Sequence, residues 1–248
     1  MQPEQYPLMA AQEERHWWYR GNRAVVQRLL RRWCRPGARL RLDAGCGTGK
    51  NLDAFADFGA AVGVDCADAA LAGCRARGCT RLLRASVTAL PLRGDCFDVV
   101  TCFEVLYHRA VGDWQAAIAE FHRVLRPGGL AILREPAFAL LRGSHDAAVH
   151  AVHRFRRREL RAAVEAAGFE VLRCSYQNLL TFLPALLVRS WQRRRGTAGE
   201  PVADFGRGDG ALGGLAAAWL ALEGIWLQFA RLPLGSSVLC VARKRGLA

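Results

Sequence analysis

Three glycines in five residues follow an apolar segment in the stretch RLDAGCGTGKNLDAF, residues 41–55. A glycine-rich loop between a strand and a helix binds a ligand through its backbone N–H groups. A triphosphate-binding loop would need glycine in place of Ala44 and serine or threonine in place of Asn51. A dinucleotide-binding loop would need its third glycine in place of Lys50. The spacing is instead G-x-G-x-G, with Asp43 just before it.

The charge of Asp43 separates the remaining ligands. A carboxylate at this turn repels a pyrophosphate but attracts a ligand that carries an α-amino group and a sulfonium. Asp65 ends the second predicted strand, eighteen residues after Gly47. A carboxylate at that position accepts hydrogen bonds from ribose hydroxyls. S-adenosylmethionine has both the cationic head and the free ribose, so we expect it to be the cofactor.

Candidate catalytic residues follow the predicted strands whose ends would face this cofactor. His108 comes after the fourth strand and is our first candidate for a general base, which methyl transfer needs only for a hydroxyl or a protonated amine. Capping of the next helix is the alternative role. His145 and Asp146 follow the fifth strand in a predicted loop, as a candidate base and its orienter. Arg154 is a candidate for binding an anionic group of the substrate.

Aromatic and polar residues near the same edge complete the expected site. Glu104 and Tyr107 are expected to line the methionine end or the acceptor. Val87 is expected to flank the adenine ring, with core packing as the alternative. Trp17 and Trp18 precede the predicted sheet domain and are candidates for closing over the sulfonium, because cations favour aromatic faces. Ordinary packing on the core is the alternative.

Predicted strands and helices alternate along the first part of the chain, which indicates a parallel sheet with helices on both faces. Right-handed crossovers place the ligand at the carboxyl ends of the strands. The expected fold class is α/β, a Rossmann-like doubly wound sheet. The predicted strands are residues 39–44, 60–65, 80–84, 97–103 and 130–135. The predicted helices are one opened by Gly21-Asn22 and ended by Pro36-Gly37, one from about Lys50, and residues 68–77 and 113–125.

The second part of the chain is less regular. A helix over 156–167 and a strand over 169–176 continue the pattern. Two apolar helices, 179–191 and 215–230, are predicted to form a substrate lid, with a mobile loop over 196–214 between them, and a last strand covers 236–244. The expected organisation is an N-terminal helical lid (1–36), a cofactor-binding core (37–176), a helical insertion (177–235), and a final core strand with a tail (236–248).

The net charge of +13 raises the question of a nucleic-acid or membrane partner. Lys50 and Lys244 are the only lysines, so nearly all the positive charge is arginine. Together with heavy alanine and glycine use, this composition is typical of a GC-rich genome, so nucleic-acid binding is a weak hypothesis. The segment LLVRSWQRRR, 186–195, is suited to an anionic membrane interface. Peripheral membrane contact is therefore a hypothesis, and a helix that covers the sheet edge is its alternative.

The nine cysteines are scattered singly, without a CxxC pair or metal-ligand spacing. This pattern indicates reduced thiols and no metal site. The start of the chain, MQPEQYPLMA, has neither a cationic n-region nor an apolar h-region. We therefore expect no secretory signal and a cytoplasmic location.

The sequence resembles class I S-adenosylmethionine-dependent methyltransferases of the small bacterial type. The resemblance is carried by LDAGCGTG (42–49), VGVD (62–65), ASVTALPLRGDCFDVVTCFEVLYH (85–108) and EFHRVLRPGGLAILREP (120–136). It implies a final antiparallel strand between strands five and six. The cofactor contacts expected on this basis are Asp43, Gly45, Cys46, Gly47, Gly49, Asp65, Cys66, Ser86, Val87, Phe103 and Glu104.

The two ends resemble a narrower bacterial group through HWWYRGNR (16–23) and LPLGSSVLCVARK (232–244). Its members look like tailoring enzymes for glycans, lipids or specialised metabolites. Two positions depart from the pattern. Ser86 stands where the family usually has an aspartate that contacts the adenine amine. Ala151 stands where the group tends to have a histidine, with His150 next to it.

The expected activity is transfer of a methyl group from S-adenosylmethionine to an oxygen or nitrogen of a small metabolite. A nucleic-acid methyltransferase is the first alternative and rests on charge alone. The Pro-Pro-containing tetrad usual after strand four in such enzymes is absent, and CFEV (102–105) stands there. A non-catalytic protein that keeps the fold and binds another enzyme is the second alternative.

Overall fold

A single seven-stranded sheet forms the centre of the protein. The computed structural model describes residues 5–195 and 210–246. For Ser144, His145, 192–195 and 211–212 it describes the backbone only. The strand order is β3-β2-β1-β4-β5-β7-β6. The strands are β1 Leu40–Ala44, β2 Ala60–Asp65, β3 Leu82–Arg84, β4 Phe97–Phe103, β5 Leu125–Pro136, β6 Phe169–Gln177 and β7 Ser237–Lys244.

Helices cover both faces of this sheet. They are α1 Gln5–Arg15, α2 Trp17–Trp33, α3 Lys50–Ala54, α4 Asp68–Ala76, α5 Trp114–Val124, α6 Ser144–Ala148, α7 Arg157–Ala166, α8 Leu179–Arg195 and α9 Ala211–Trp226. The apolar faces of α5 and α7 are buried against one side of the sheet. On the other side, Val25, Val26, Leu29 and Leu30 of α2 pack on β4, β5 and β7.

The strand directions confirm the predicted fold class. Strands β1 to β5 pair in parallel, and β7 runs antiparallel between β5 and β6. The carboxyl ends of β1, β2, β4 and β5 therefore meet at one edge of the sheet. The first residue of β7, Ser237, pairs with Pro136 and Gln177, so this strand begins at the same edge.

Several predicted boundaries were wrong. The helix expected from Gly21 begins at Trp17, because His16 caps it by accepting a hydrogen bond from the Trp18 N–H. Strand β5 begins at Leu125 and not at residue 130, since Leu125 already pairs with Phe97 of β4, ahead of a register shift. Most of the predicted loop over 196–214, residues 196–209, lies outside the described residues. The end of it was wrongly predicted, because residues 211–214 belong to α9.

Helix α9 packs along α2, and Gly224 makes this close approach possible. A Cβ on Gly224 would lie 3.0 Å from the backbone of Val25. On the same side of α9, Leu220 and Leu227 are fully buried. Glu223 connects α9 to the start of α8, where its carboxylate accepts hydrogen bonds from the Asn178 N–H and the Leu179 N–H. No helix in the described part of the chain is long and apolar enough to cross a membrane.

Candidate active site

The glycine loop after β1 is held tightly between its neighbours. The Gly45 N–H and Cys46 N–H both donate to the carbonyl of Val64, at 2.7 and 2.9 Å. Gly45 has φ of +78°, and a Cβ there would lie 2.2 Å from the Val105 side chain. Gly47 also has positive φ. Only glycine fits the first position, because it allows the positive φ and the close approach of Val105 to the loop.

Asp43 lies under this loop with a buried carboxylate. Its Oδ1 accepts a hydrogen bond from the Thr101 hydroxyl at 2.7 Å, and its Oδ2 has no partner among the described residues. Burial raises the pKa of Asp43 to about 6. Asp43 does not itself line the cavity described below, so its charge acts through the loop. An orphaned buried carboxylate oxygen fits a ligand that brings a positive charge to this loop.

Asp65 ends β2 and ties the loop to the start of α4. Its Oδ2 accepts from the Gly47 N–H at 3.0 Å and its Oδ1 from the Ala67 N–H at 2.9 Å. Each oxygen retains acceptor capacity for a hydroxyl. Across the loop after β3, the Ser86 hydroxyl pairs with the Thr88 hydroxyl at 2.7 Å. The Asp65 carboxylate and the Ser86 hydroxyl thus belong to residues that line one cavity.

That cavity has a volume of about 810 Å³, near the upper end of ordinary small-molecule sites. It opens over the carboxyl edge of the sheet. The predicted residues that it brings together are Trp17, Trp18, Gly45, Cys46, Gly47, Asp65, Cys66, Ser86, Val87, Phe103, Glu104, Tyr107, His108, Asp146 and Arg154. Gly49 lies below the lining, where its positive φ starts α3 and its Cα faces Cys74. Only the backbone of His145 is described.

Helix α1 lines one side of the cavity. It lies within the helical lid predicted over 1–36, but the sequence analysis did not assign it as a separate helix. Glu13 accepts a hydrogen bond from the Thr48 hydroxyl of the glycine loop. Arg77 of α4 pairs with both Glu13 and Glu14, and Lys50 lies 2.6 Å from Glu14. On the inner side of the same helix, Tyr6, Met9 and Glu13 line the cavity at a spacing of three and four residues. That spacing is a helical signal that the sequence did contain.

Arg134 is a second residue that the sequence analysis missed. Its guanidinium lies 5.1 Å from the Trp18 ring and 5.0 Å from the Phe103 ring. Its Nε donates to Glu104 at 3.2 Å, and burial raises the pKa of Glu104. A cation in the apolar strand LAILRE, near its carboxyl end, was the available signal. The Arg134 guanidinium thus contacts both rings, which places Trp18 near Phe103 at the end of β4.

The loop after β4 carries the expected acceptor-side residues. Buried Glu135 accepts from the backbone N–H groups of Val105 and Leu106, which fixes this loop. The His108 ring stacks on Tyr107 with their centroids 4.2 Å apart. Both rings line the cavity. The strand end therefore presents an imidazole where a bound acceptor can contact it.

Asp146 and Arg154 both line the cavity and form an ion pair. Nε and Nη2 of Arg154 donate to the two Asp146 oxygens at 2.6 and 3.0 Å, and Nη1 donates to the Ala137 carbonyl. The prediction that His145 and Asp146 lie in a loop was wrong, because they belong to the short helix α6. The Asp146 carboxylate accepts a hydrogen bond from the Gly143 N–H, three residues earlier, and so stabilises the start of this helix.

Ala151 and its neighbouring histidines lie beside the site. Ala151 forms an isolated bridge with His108. His150 is exposed with a φ of +54°. His153 pairs with Glu159 at 2.8 Å, and neither histidine lines the cavity. Within 5–195 and 210–246, no group of three histidine, cysteine, aspartate or glutamate side chains could hold a metal ion.

Comparison with known proteins finds matches to the central part of the chain. Residues 42–133 match a family model described as a methyltransferase domain. A protein of Mycolicibacterium smegmatis named "probable S-adenosylmethionine-dependent methyltransferase" is 36% identical over 165 residues, covering 64% of this chain and 61% of the relative. The ubiquinone biosynthesis O-methyltransferase of Pseudomonas aeruginosa is 36% identical over 156 residues, covering 52% of this chain and 64% of the relative. This chain thus spans less than two thirds of either relative.

A solved structure shares the whole architecture. A chain of the complex between the Haloferax volcanii Trm112 methyltransferase activator and a methyltransferase superposes with a TM-score of 0.62 at 21% identity, covering 99% of this chain and 98% of that chain. This likeness concerns the fold. By the family match, residues 42–133 form a methyltransferase domain, and the glycine loop and the sheet order of the chain are similar to those of S-adenosylmethionine-dependent methyltransferases.

Proposed function

We propose that this protein transfers the methyl group of S-adenosylmethionine to an oxygen or nitrogen atom of a small, largely apolar acceptor, free or linked to a lipid or sugar. One observation carries the proposal. A single cavity extends from the glycine loop and Asp65 to His108 and the Asp146–Arg154 pair. Cofactor-binding groups and polar groups for an acceptor therefore share one enclosed space.

The chain supplies a complete set of groups for the cofactor. The exposed backbone of the glycine loop and the charge of Asp43 suit its amino-acid end, and the Asp65 carboxylate suits its ribose. Val87, which is 5% exposed in the wall, suits the adenine ring. S-adenosylmethionine brings an activated methyl group on a sulfonium. The protein's task is then to align an acceptor and to exclude water.

Water exclusion depends on the elements that cover the cavity. Helix α1 covers it through Tyr6 and Met9, and Trp18 covers the end of β4. His108 is the group proposed to accept a proton from a hydroxyl or ammonium acceptor. The Asp146–Arg154 pair fixes the wall opposite, where its polar atoms can orient the acceptor.

The far wall favours an apolar acceptor. Leu141 and Val149 line it from the loop after β5, and Pro184, Ala185 and Val188 line it from α8. The matched Pseudomonas relative is, by its name, an O-methyltransferase of ubiquinone biosynthesis. This name supports a hydroxyl on an apolar aromatic or lipid-linked acceptor as the first class to test.

Calorimetry and a transfer assay test the proposal in sequence. Binding of S-adenosylmethionine and S-adenosylhomocysteine is expected at micromolar concentrations. Labelled methyl transfer is then measured to matched panels of phenols and amines that differ only in the acceptor atom. Absence of cofactor binding at millimolar concentration would favour a non-catalytic partner. Methylation of RNA with a steep salt dependence would favour the nucleic-acid alternative.

A further inference from the structure

Helix α9 has two apolar faces, and only one of them is packed against the protein. The inner face contacts α2. The opposite face carries an exposed stripe with a spacing of four, three and four residues, which follows one side of a helix, and Phe229 extends it in the turn after α9. Its members and their exposed fractions are Leu215 67%, Trp219 47%, Leu222 61%, Trp226 56% and Phe229 70%.

Helix α8 carries a similar exposed stripe. Leu183, Leu187 and Trp191 are 60%, 70% and 52% exposed. A different side of the same helix, with Ala185 and Val188, lines the cavity. The two helices meet where Glu223 of α9 accepts hydrogen bonds from the Asn178 and Leu179 N–H groups at the start of α8, and we call their two stripes together the apolar face. Contiguous exposed patches of large apolar side chains mark interaction surfaces, and tryptophan is enriched where a protein meets the headgroup region of a membrane.

The charge around the apolar face selects its partner. Residues 171–248 contain four acids, Glu200, Asp204, Asp209 and the buried Glu223, against nine arginines and Lys244. Arginine is frequent in the same segments, including 193–195 at the end of α8 and Arg231 after α9. A second copy, also with a net charge of +13, would be repelled, whereas an anionic lipid surface would be attracted.

We propose that the apolar face binds peripherally to an anionic lipid bilayer, with its tryptophans at the interface and the flanking arginines near the headgroups. The binding is independent of methyl transfer and goes beyond the proposed function. Because α8 carries both a cavity wall and part of the apolar face, the bound protein holds the acceptor end of the cavity about one helix diameter, roughly 10 Å, from the lipid.

Vesicle co-sedimentation of the full chain tests this proposal. The probes are vesicles of phosphatidylcholine with and without phosphatidylglycerol. Binding is expected to need phosphatidylglycerol and to weaken as salt rises. Leu187→Glu and Leu222→Glu are each expected to weaken binding about tenfold or more, since each places a charge in the buried part of the contact. Leu8→Glu, at an exposed leucine of α1 (65%), is the matched control and should bind like the wild type.

Two further measurements make the outcomes decisive. Thermal unfolding and cofactor calorimetry are expected to be unchanged in the two glutamate variants, so that loss of vesicle binding is separated from loss of the proposed function. The proposal is overturned if the wild type does not bind at low salt, or if Leu8→Glu loses as much binding. It is also overturned if light scattering shows a dimer that Leu222→Glu dissociates. A large drop in melting temperature for Leu222→Glu would overturn it as well, because the stripe would then be packed within the protein.

Discussion

The Thr101 hydroxyl donates a 2.7 Å hydrogen bond to one oxygen of Asp43 and leaves the other oxygen without a partner in the described structure. This contact joins β4 to β1 directly beneath the glycine loop. A carboxylate held in this way is costly to ionise, and burial raises its pKa to about 6. The charge that the cofactor is expected to meet is therefore itself dependent on pH.

We expect cofactor affinity to fall as pH is lowered through about 6, because the cationic amino-acid end favours the ionised form of Asp43. The sign for stability is opposite. The folded-state pKa is raised, so the contribution of this group to the stability of the cofactor-free protein is lost as pH rises through about 6. The Asp43→Asn variant should bind the cofactor weakly at all pH values. Neither its cofactor affinity nor its stability should change with pH around 6.

Calorimetry across about pH 5 to 8 measures the affinity, and urea unfolding across the same range measures the stability. Asp57→Asn, at an exposed position, is the matched control and should retain both slopes. An unchanged pH dependence of affinity in Asp43→Asn would show that Asp43 does not act on the cofactor.

Gly45→Ala should abolish cofactor binding, because the added Cβ meets Val105 at 2.2 Å and the residue has positive φ. The backbone cost is about 1 kcal/mol, and the clash adds about 1–3 kcal/mol. Gly37→Ala is a matched control, since Gly37 also has positive φ (+81°) but has no atom within 4 Å of the position that a Cβ would take. Urea unfolding should show a clearly larger loss for Gly45→Ala, and equal losses would disprove the role of the clash.

Arg77→Ala should loosen helix α1 from the glycine loop, because Arg77 contacts Glu13, Glu14 and the Ala10 carbonyl. The pair with the partly exposed Glu14 contributes less than about 1 kcal/mol, whereas Glu13 is buried and loses a charged partner. We therefore expect roughly fivefold weaker cofactor binding and faster proteolysis within α1. Arg75→Ala, on the exposed side of the same helix, should change neither quantity. If proteolysis is unaltered in Arg77→Ala, these pairs do not hold the lid.

The parallel core could be predicted from the sequence because its signals are local. The apolar run 97–103 and the glycine loop each determine their own structure within a few residues, and the observed strands match them closely. The short helix α6 was missed because its five residues carry no helical periodicity. It is closed by Asp146, which is bound in turn by Arg154.

Contacts between distant segments explain the rest of what was missed. Helix α1 has a weakly apolar sequence, and its position depends on pairs with Lys50 and Arg77. No local pattern reveals such partners. Arg134 was overlooked for the same reason, since its place between Trp18 and Phe103 exists only after the N-terminal segment folds over the sheet edge. The residues that cover the cavity were thus harder to predict than those that form its floor.

His108→Asn should lower kcat for a hydroxyl acceptor by about 10²- to 10⁴-fold, the usual contribution of a general base, with little change in cofactor affinity. An acceptor that already carries a deprotonated oxygen or a neutral amine should be affected far less. His150→Asn makes the same substitution at an exposed neighbour whose positive φ suits asparagine, and should keep full activity. Equal losses for both acceptor types would assign His108 a positioning role.

Glu223→Ala should detach α9 from the start of α8. The variant leaves the Asn178 and Leu179 N–H groups without their acceptor, at a cost of about 1–3 kcal/mol in the free energy of unfolding. Glu223→Gln keeps one carbonyl acceptor and should lose less.

Burial raises the pKa of Glu223, so the contribution of Glu223 to stability is lost as pH rises through that folded-state pKa. Urea unfolding at several pH values should therefore show a slope in the wild type that Glu223→Gln lacks. Equal losses in the alanine and glutamine variants would mean that the two hydrogen bonds do not hold these helices together.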